Sequence, residues 1–344
     1  MDSEAPPAQA PALEDPEGFD ALSDDLVLRA LLRAPFVCHG TLHAVCHRFK
    51  SLLRSDDFCK QRLEYGLAEH GVVCAGGTRN GRAIADCLML SGGRWRPIPP
   101  MSGPRRCACS VIIDNEMWVM GGYDDRGNEL ATVEVYSPKT NSWRSCAPMS
   151  QRRWDAVAGV VGGRLVVAGG ICGGSLTSVE AYTGTGWTPL PPMPHGARKA
   201  TACVLNGRLY VMGGVGSNKL QVLEMTEENG LSWSCKADLP ANRVGAASVV
   251  HEGKIYVMGG RADGEGVSES ASVIIYDAEA DAWETAPSLP VPCVGHAFVL
   301  DGHISLVTPR VTPNRRFEYR NSAWSQVEGG PSAQMPVCGS VLLG

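Results

Sequence analysis

Basic side chains recur in this chain at a spacing that could do chemistry together. Arg105-Arg106, Arg152-Arg153-Trp154, Arg198-Lys199 and Arg243 each follow a Pro-rich turn and precede an apolar run. Arg79, Tyr123, Asp124, Asp125, Arg126, Arg261 and Asp263 follow Gly pairs in the same units. A guanidinium forks onto carboxylate or phosphate oxygens and stacks on aromatic rings, so such a set suits the grip of an acidic or phosphorylated segment. The bland use of the same arginines is to pair with a neighbouring carboxylate inside a repeat. The histidines point elsewhere. His70, His195, His251, His296 and His303 fall at non-equivalent positions, with no His-x-His or HExxH spacing to hold a metal. The 13 cysteines never form a CxxC pair. Cys107 and Cys109, two apart on an expected strand, would share a face but lack two further zinc ligands. No metal or cofactor is expected.

The elements that position these residues are repeats. Gly76-Gly77, Gly121-Gly122, Gly169-Gly170, Gly213-Gly214 and Gly259-Gly260 return about every 45 residues, a period of propellers and repeat arrays. Trp95, Trp143, Trp187, Trp233, Trp283 and Trp324 keep step with them. Within a unit, TACVL (201–205) and RLYVM (208–212) flank Asn206-Gly207, a hairpin signal because both turn residues adopt positive φ. Asp114-Asn115, Gly162-Gly163, Glu252-Gly253 and Asp301-Gly302 stand in the same place. A third strand follows (133–136 or 273–276), and a fourth carries the Trp. Four short strands make one blade.

GRLYVMGG, GKIYVMGG and NEMWVMGG, the last followed by VEVYSPKTNSW, resemble kelch repeats over residues 71 to 344. The expected fold is therefore mainly β, a six-bladed kelch β-propeller over 66–344. In the sixth unit Thr308-Pro309 replaces the Gly pair, and the basic turn RVTPNRR leaves Arg315 and Arg316 without a clear place. The first unit lacks a first strand, whereas VCGSVLLG (337–344) matches the first strands of other units. The C-terminal strand is expected to complete the first blade and remove two open sheet edges. Because strands alternate in direction, the basic connections would open at the channel mouth. Arg105, Arg106, Arg152, Arg153, Trp154, Arg198, Arg243, Tyr123, Arg126 and Arg261 are the candidate target-binding set.

Ahead of the repeats, residues 1–20 hold six acids, four Pro and no Lys or Arg, a composition that stays disordered. They have neither a basic nor an apolar region of a signal peptide. Residues 21–65 read as a small helical module. Ser23 is a good N-cap with Asp24 and Asp25 in the first turn, and Leu26, Ala30 and Leu31 form an apolar face until Pro35. A second helix carries Leu42, Val45, Cys46, Phe49, Leu52 and Leu53 at steps of three and four. About 45 residues make a poor solitary core, which points to a partner surface.

LSDDLVLRALLRAPFVCHGTLHAVCHRFKSLLRSDDFCKQRLEYG resembles an F-box, with Leu22, Leu42, Val45, Cys46, Phe49, Leu52, Leu53, Ser55 and Phe58 on the family's positions. Ser23 replaces the usual Pro, and Phe49 stands where Trp is commoner. F-box followed by kelch repeats looks like the plant and algal F-box/kelch proteins. That resemblance implies a non-catalytic substrate receptor of a Skp–cullin–F-box ubiquitin ligase. Leu22, Leu26, Leu31, Leu42, Val45, Cys46, Phe49, Leu52 and Leu53 would dock on a Skp-type adaptor and through it a cullin. The propeller would hold the protein to be ubiquitinated. The alternatives are a kelch enzyme acting on a sugar or other small molecule, and a non-catalytic scaffold such as one binding the cytoskeleton. A net charge of −5 argues against nucleic acid, no run of 18 apolar residues spans a membrane, and scattered thiols fit a reducing cytoplasm or nucleus.

Overall fold

A computed structural model describes residues 22–34, 38–39, 42, 44–65, 67, 69–226, 230–262, 268–308, 315–327 and 338–343. The acidic stretch 1–20, Pro35, Asp263 and the turn 309–314 lie outside the described residues. The chain divides into two units, Met1–Glu69 and His70–Leu343.

The second unit is a six-bladed β-propeller. Each blade is a four-stranded antiparallel sheet, and the first strands of successive blades neighbour one another in a closed ring. Blade 2 runs Cys109–Ile113, Glu116–Met120, Val133–Ser137 and Ser142–Cys146. Blade 3 runs Val157–Val161, Arg164–Ala168, Val179–Tyr182 and Trp187–Leu190. Blade 4 holds Thr201–Leu205, Arg208–Met212, Leu220–Thr226 and Gly230–Lys236, and blade 5 holds Ala247–His251, Lys254–Met258, Val273–Asp277 and Ala282–Ala286. Blade 6 follows with His296–Leu300, His303–Thr308, Arg315–Arg320 and Ala323–Val327. In blade 1 the first strand is Cys338–Leu343, beside Glu69–Ala75, Cys87–Ser91 and Arg94–Ile98.

Local chemistry explains the repeats. Asn206 and Gly207 sit at φ +50° and +72° and close the hairpin with Leu205 opposite Arg208. The second strand of each blade is its most buried; Val72, Val119, Val167, Met212, Val257 and Leu306 lie in the interior between blades. The tryptophans stitch the blades together. Trp143, Trp187, Trp233, Trp283 and Trp324 donate their indole N–H to the carbonyls of Pro99, Ala147, Pro191, Ala237 and Pro287, each on the segment that leaves the preceding blade. Trp143, Trp187, Trp283 and Trp324 also pack on third-strand tyrosines, with ring centroids 4.9–5.5 Å apart.

Three helices are described in the first unit: α1 (Asp24–Leu32), α2 (His47–Leu53) and α3 (Asp56–Glu64). Ser23 caps α1 through its side chain, which accepts from the Leu26 N–H. The buried face of α1 is Val27, Leu28, Leu31 and Leu32; of the expected Leu26, Ala30 and Leu31 only Leu31 belongs to it, because the stripe facing α2 and α3 starts one residue later. α2 begins only at His47, where the Cys46 thiol accepts from the Phe49 N–H; Val45 lies in a turn before it. α3, which apolar periodicity does not reveal, supplies Phe58 to the core. Its Arg62, buried, donates to the carbonyls of Leu32 and Ala34 at 2.7 Å and so satisfies the end of α1.

Candidate functional site

The candidate set at the channel mouth separates into two layers. Arg105, Arg153 and Arg243 are 3%, 1% and 6% exposed and fasten neighbouring blades together. Each uses its backbone on one blade and its guanidinium on the next. The Arg153 carbonyl accepts from Gly122 N–H of blade 2, while its side chain reaches the carbonyls of Gly169 and Ser178 and the Glu180 carboxylate at 2.8 Å in blade 3. Arg105 joins Gly77 of blade 1 to Gly121, Thr132 and Glu134 of blade 2. Arg243 joins Gly214 of blade 4 to Gly259 and Ser272 of blade 5, with a hydroxyl in place of a carboxylate. Burial lowers the pKa of Arg105 and of Arg243; at Arg105 the Glu134 charge opposes that shift. These three, expected to bind a target, are instead structural fasteners: they are buried, and their Nη1 and Nη2 groups bond inside the fold.

The same fasteners explain the Gly pairs. Gly213 lies at φ +66°, and a Cβ there would come within 2.7 Å of the Arg243 carbonyl oxygen. The pair thus makes room for backbone as well as for the neighbouring Met side chains at Gly76, Gly121 and Gly169.

The residue after each fastener lies on the connection into the next blade and is only half-buried. Arg106, Trp154 and Val244 bridge to Tyr123, Ile171 and Arg261, the residues that follow the Gly pairs. Arg198 accepts from Val215 N–H in the same manner. Tyr123 and Trp154 pack with ring centroids 4.4 Å apart and planes tilted by 41°, and the Arg106 guanidinium lies 5.8 Å from the Tyr123 ring centroid. Arg261 is tied to Glu269 at 2.7 Å, so its charge is partly neutralised. Arg152 is exposed at the surface of the same connection. Arg126 sits beside Asp124 and Asp125, and the three line a cavity of about 440 Å³ over blade 2. Arg316 is buried with Glu318 on the third strand of blade 6, and Arg315 of that strand pairs in register with Thr308 of the second.

One residue further on, a second ring was missed. Cys107, Asp155 and Lys199 lie at φ +54°, +50° and +53°. Asp155 N–H donates to the Cys107 carbonyl at 2.9 Å, Lys199 N–H to Asp155 at 3.3 Å, and Gly245 N–H to Lys199 at 2.8 Å. Cys107 is thus off the strand, which starts at Cys109, and the two thiols do not share a strand face. Burial pushes the Cys107 thiol to about 12, and its hydrogen bond to Asp155 acts in the same direction. The signal was present: the aligned position in blade 5 is Gly245, at φ +63°, a residue suited to that backbone.

The nine F-box positions also divide. Leu31, Phe49 and Leu53 are buried in the module's own core, and Leu42, Cys46 and Leu52 are partly buried against it. Leu22, Leu26 and Val45 are 38%, 51% and 55% exposed. Arg48, in the first turn of α2, donates to the Leu22 carbonyl and pairs with Asp24 at 2.7 Å. That link ties the start of α2 to the start of α1, where the three exposed apolar residues lie.

Comparison with known proteins agrees with this architecture. The family model described as "Kelch motif" matches residues 104–150 and 242–290. An F-box/kelch-repeat protein of Arabidopsis thaliana is 30% identical over 180 residues, 49% of this chain and 47% of the relative. A putative F-box/kelch-repeat protein of the same plant is 28% identical, over 51% of this chain and 47% of its own length. Human Kelch-like protein 23 is 33% identical over 26% of this chain and 15% of its own. The chain thus spans about half the length of the first of these relatives. The solved structure titled "Structure of YjhT" superposes with a TM-score of 0.61 at 16% identity, covering 74% of this chain and 97% of that one, a likeness of fold. No helix among the described residues is long and apolar enough to cross a membrane. The motifs and the plant relatives together support an F-box/kelch-repeat protein.

Proposed function

We propose that this chain, as an F-box/kelch-repeat protein, is the substrate-recognition subunit of a Skp–cullin–F-box ubiquitin ligase. Its helical module docks on a Skp-type adaptor, and its propeller holds the target protein. The chain performs no bond chemistry. It acts by tethering, which raises the effective concentration of target lysines near the conjugating enzyme. The observation that carries this reading is the exposure of Leu22, Leu26 and Val45 on a module whose interior is already filled. Exposed apolar side chains clustered at one end of a small helical unit are what a protein partner covers. The reducing compartments of the cell, cytoplasm or nucleus, suit thiols such as Cys87, Cys109, Cys203 and Cys293, which stay unbridged within the fold.

The test is a calorimetric titration of the purified chain with a Skp-type adaptor, beside the Leu26→Asp/Val45→Asp variant. Both positions are exposed, so the variant is expected to melt like the wild type and to lose at least ten-fold in affinity. A folded wild type that does not bind the adaptor would refute the reading.

A further inference from the structure

With the three fasteners set aside, the mouth has a composition that differs from one side to the other. Reading the residue after each fastener position around the ring gives Arg106, Trp154, Arg198, Val244 and Val294. The arc over blades 2 to 4 is cationic and aromatic: Arg106 lies over Tyr123, which packs at a tilt against Trp154, and Arg198 and Lys199 follow. Among the described residues Arg106, Arg198 and Lys199 have no ion-pair partner, unlike Arg79, Lys219 and Arg261 on neighbouring loops, which pair with Asp86, Asp238 and Glu269. The arc also holds two carboxylates, Asp155, which takes the Cys107 thiol hydrogen, and Glu129, which is bridged to Tyr123 and takes the Cys172 thiol hydrogen. Among the described residues the positions that follow on blades 5 and 6 are valines: Val244 is half-buried beside the neutralised Arg261–Glu269 pair, and Val294 borders the ring at Gly245, where a Cβ would lie 3.5 Å from its Cγ1.

Resting on the receptor reading above, we propose that the mouth takes a short acidic segment of the target protein in which carboxylates adjoin an apolar side chain. The carboxylates would lie on Arg106, Arg198 and Lys199, and the apolar side chain against Val244 and Val294. Arg106 and Arg198 are half-buried, Arg106 against the Tyr123 face, and such cations bind carboxylates more strongly than fully exposed surface charges do. A protein segment is favoured over a nucleic acid because the chain carries a net charge of −5, which repels an extended polyanion. An all-cationic mouth would serve either, whereas the valine arc rewards a side chain that a phosphate backbone lacks.

The probe is a random twelve-residue peptide library displayed on phage, selected on the full chain and counter-selected on the Arg198→Glu/Lys199→Glu variant. The expected consensus has Asp or Glu next to Leu, Ile, Val or Phe. As a synthetic peptide it should bind at least ten-fold more weakly to the variant, to Val244→Asp, and when its acids become Asn or Gln. Its affinity should fall as salt rises. Melting temperatures of the variants should match the wild type, since none of these residues is a fastener. No enrichment, a consensus without acids, an affinity unchanged by the double variant, or tighter binding of a twelve-nucleotide single-stranded RNA would each overturn the proposal. Adaptor titration on the same preparation separates the two readings. Normal adaptor binding with a failed mouth sinks this inference alone, and a functional mouth without adaptor binding sinks the ligase reading.

Discussion

At the residue scale, charge location decides role. Arg152 and Arg153 are neighbours in sequence, yet one is exposed and the other is 1% exposed and bonded to Glu180. Removing Arg153 strands a buried carboxylate, so Arg153→Ala is expected to cost on the order of 3–5 kcal/mol in denaturant unfolding. Arg152→Ala should fall within about 0.5 kcal/mol of wild type. Sequence showed both arginines but not which would be consumed, because the distinction rests on Glu180, 27 residues away on the next blade. A second residue-scale outcome concerns His296, whose imidazole is lowered to about 4 by lost hydration at the start of the sixth blade's first strand. An imidazole whose folded value lies below its unfolded one binds more protons when unfolded, so stability falls as pH drops from about 6.5 towards 4. His296→Gln should flatten that part of a stability-versus-pH curve. An unchanged slope would remove His296 as its cause.

At the element scale, the Gly pairs, the Asn-Gly hairpins and the Trp positions were legible because each answers a local backbone or packing demand repeated in every blade. The helical module was less so. α3 has a weak apolar pattern, and its contribution lies in Phe58 and in Arg62 capping α1, neither of which a stripe reveals. The Gly account predicts a contrast between two glycines that both have positive φ. Gly121→Ala meets the Arg153 carbonyl, whereas Gly127→Ala at φ +83° meets nothing within 4 Å. Thermal unfolding should show only about 1–2 kcal/mol of backbone strain for Gly127→Ala and clearly more for Gly121→Ala. Equal effects would mean that the close approach is not what the pair serves.

At the scale of the whole molecule, the ring closes through a strand from the far end of the sequence. Cys338–Leu343 is the first strand of blade 1 and neighbours the first strands of blades 2 and 6. Deleting 338–344 opens the sheet edge of Glu69–Ala75 and removes the neighbour of the first strands of blades 2 and 6. The truncated chain is expected to melt well below the full chain and to associate, seen by light scattering. Closure was readable from the match of the last strand to others, since repeats copy their register. The identity of the mouth's contents was not, because it depends on which blade's arginine is spent inward. The central claim joins both units into one receptor, and its direct measurement is assembly of the chain with a Skp-type adaptor and a cullin, followed by size-exclusion light scattering. The account predicts one complex of 1:1:1 mass that Leu26→Asp/Val45→Asp abolishes while Arg198→Glu/Lys199→Glu leaves it intact. A folded chain that elutes alone in the presence of both partners would contradict it.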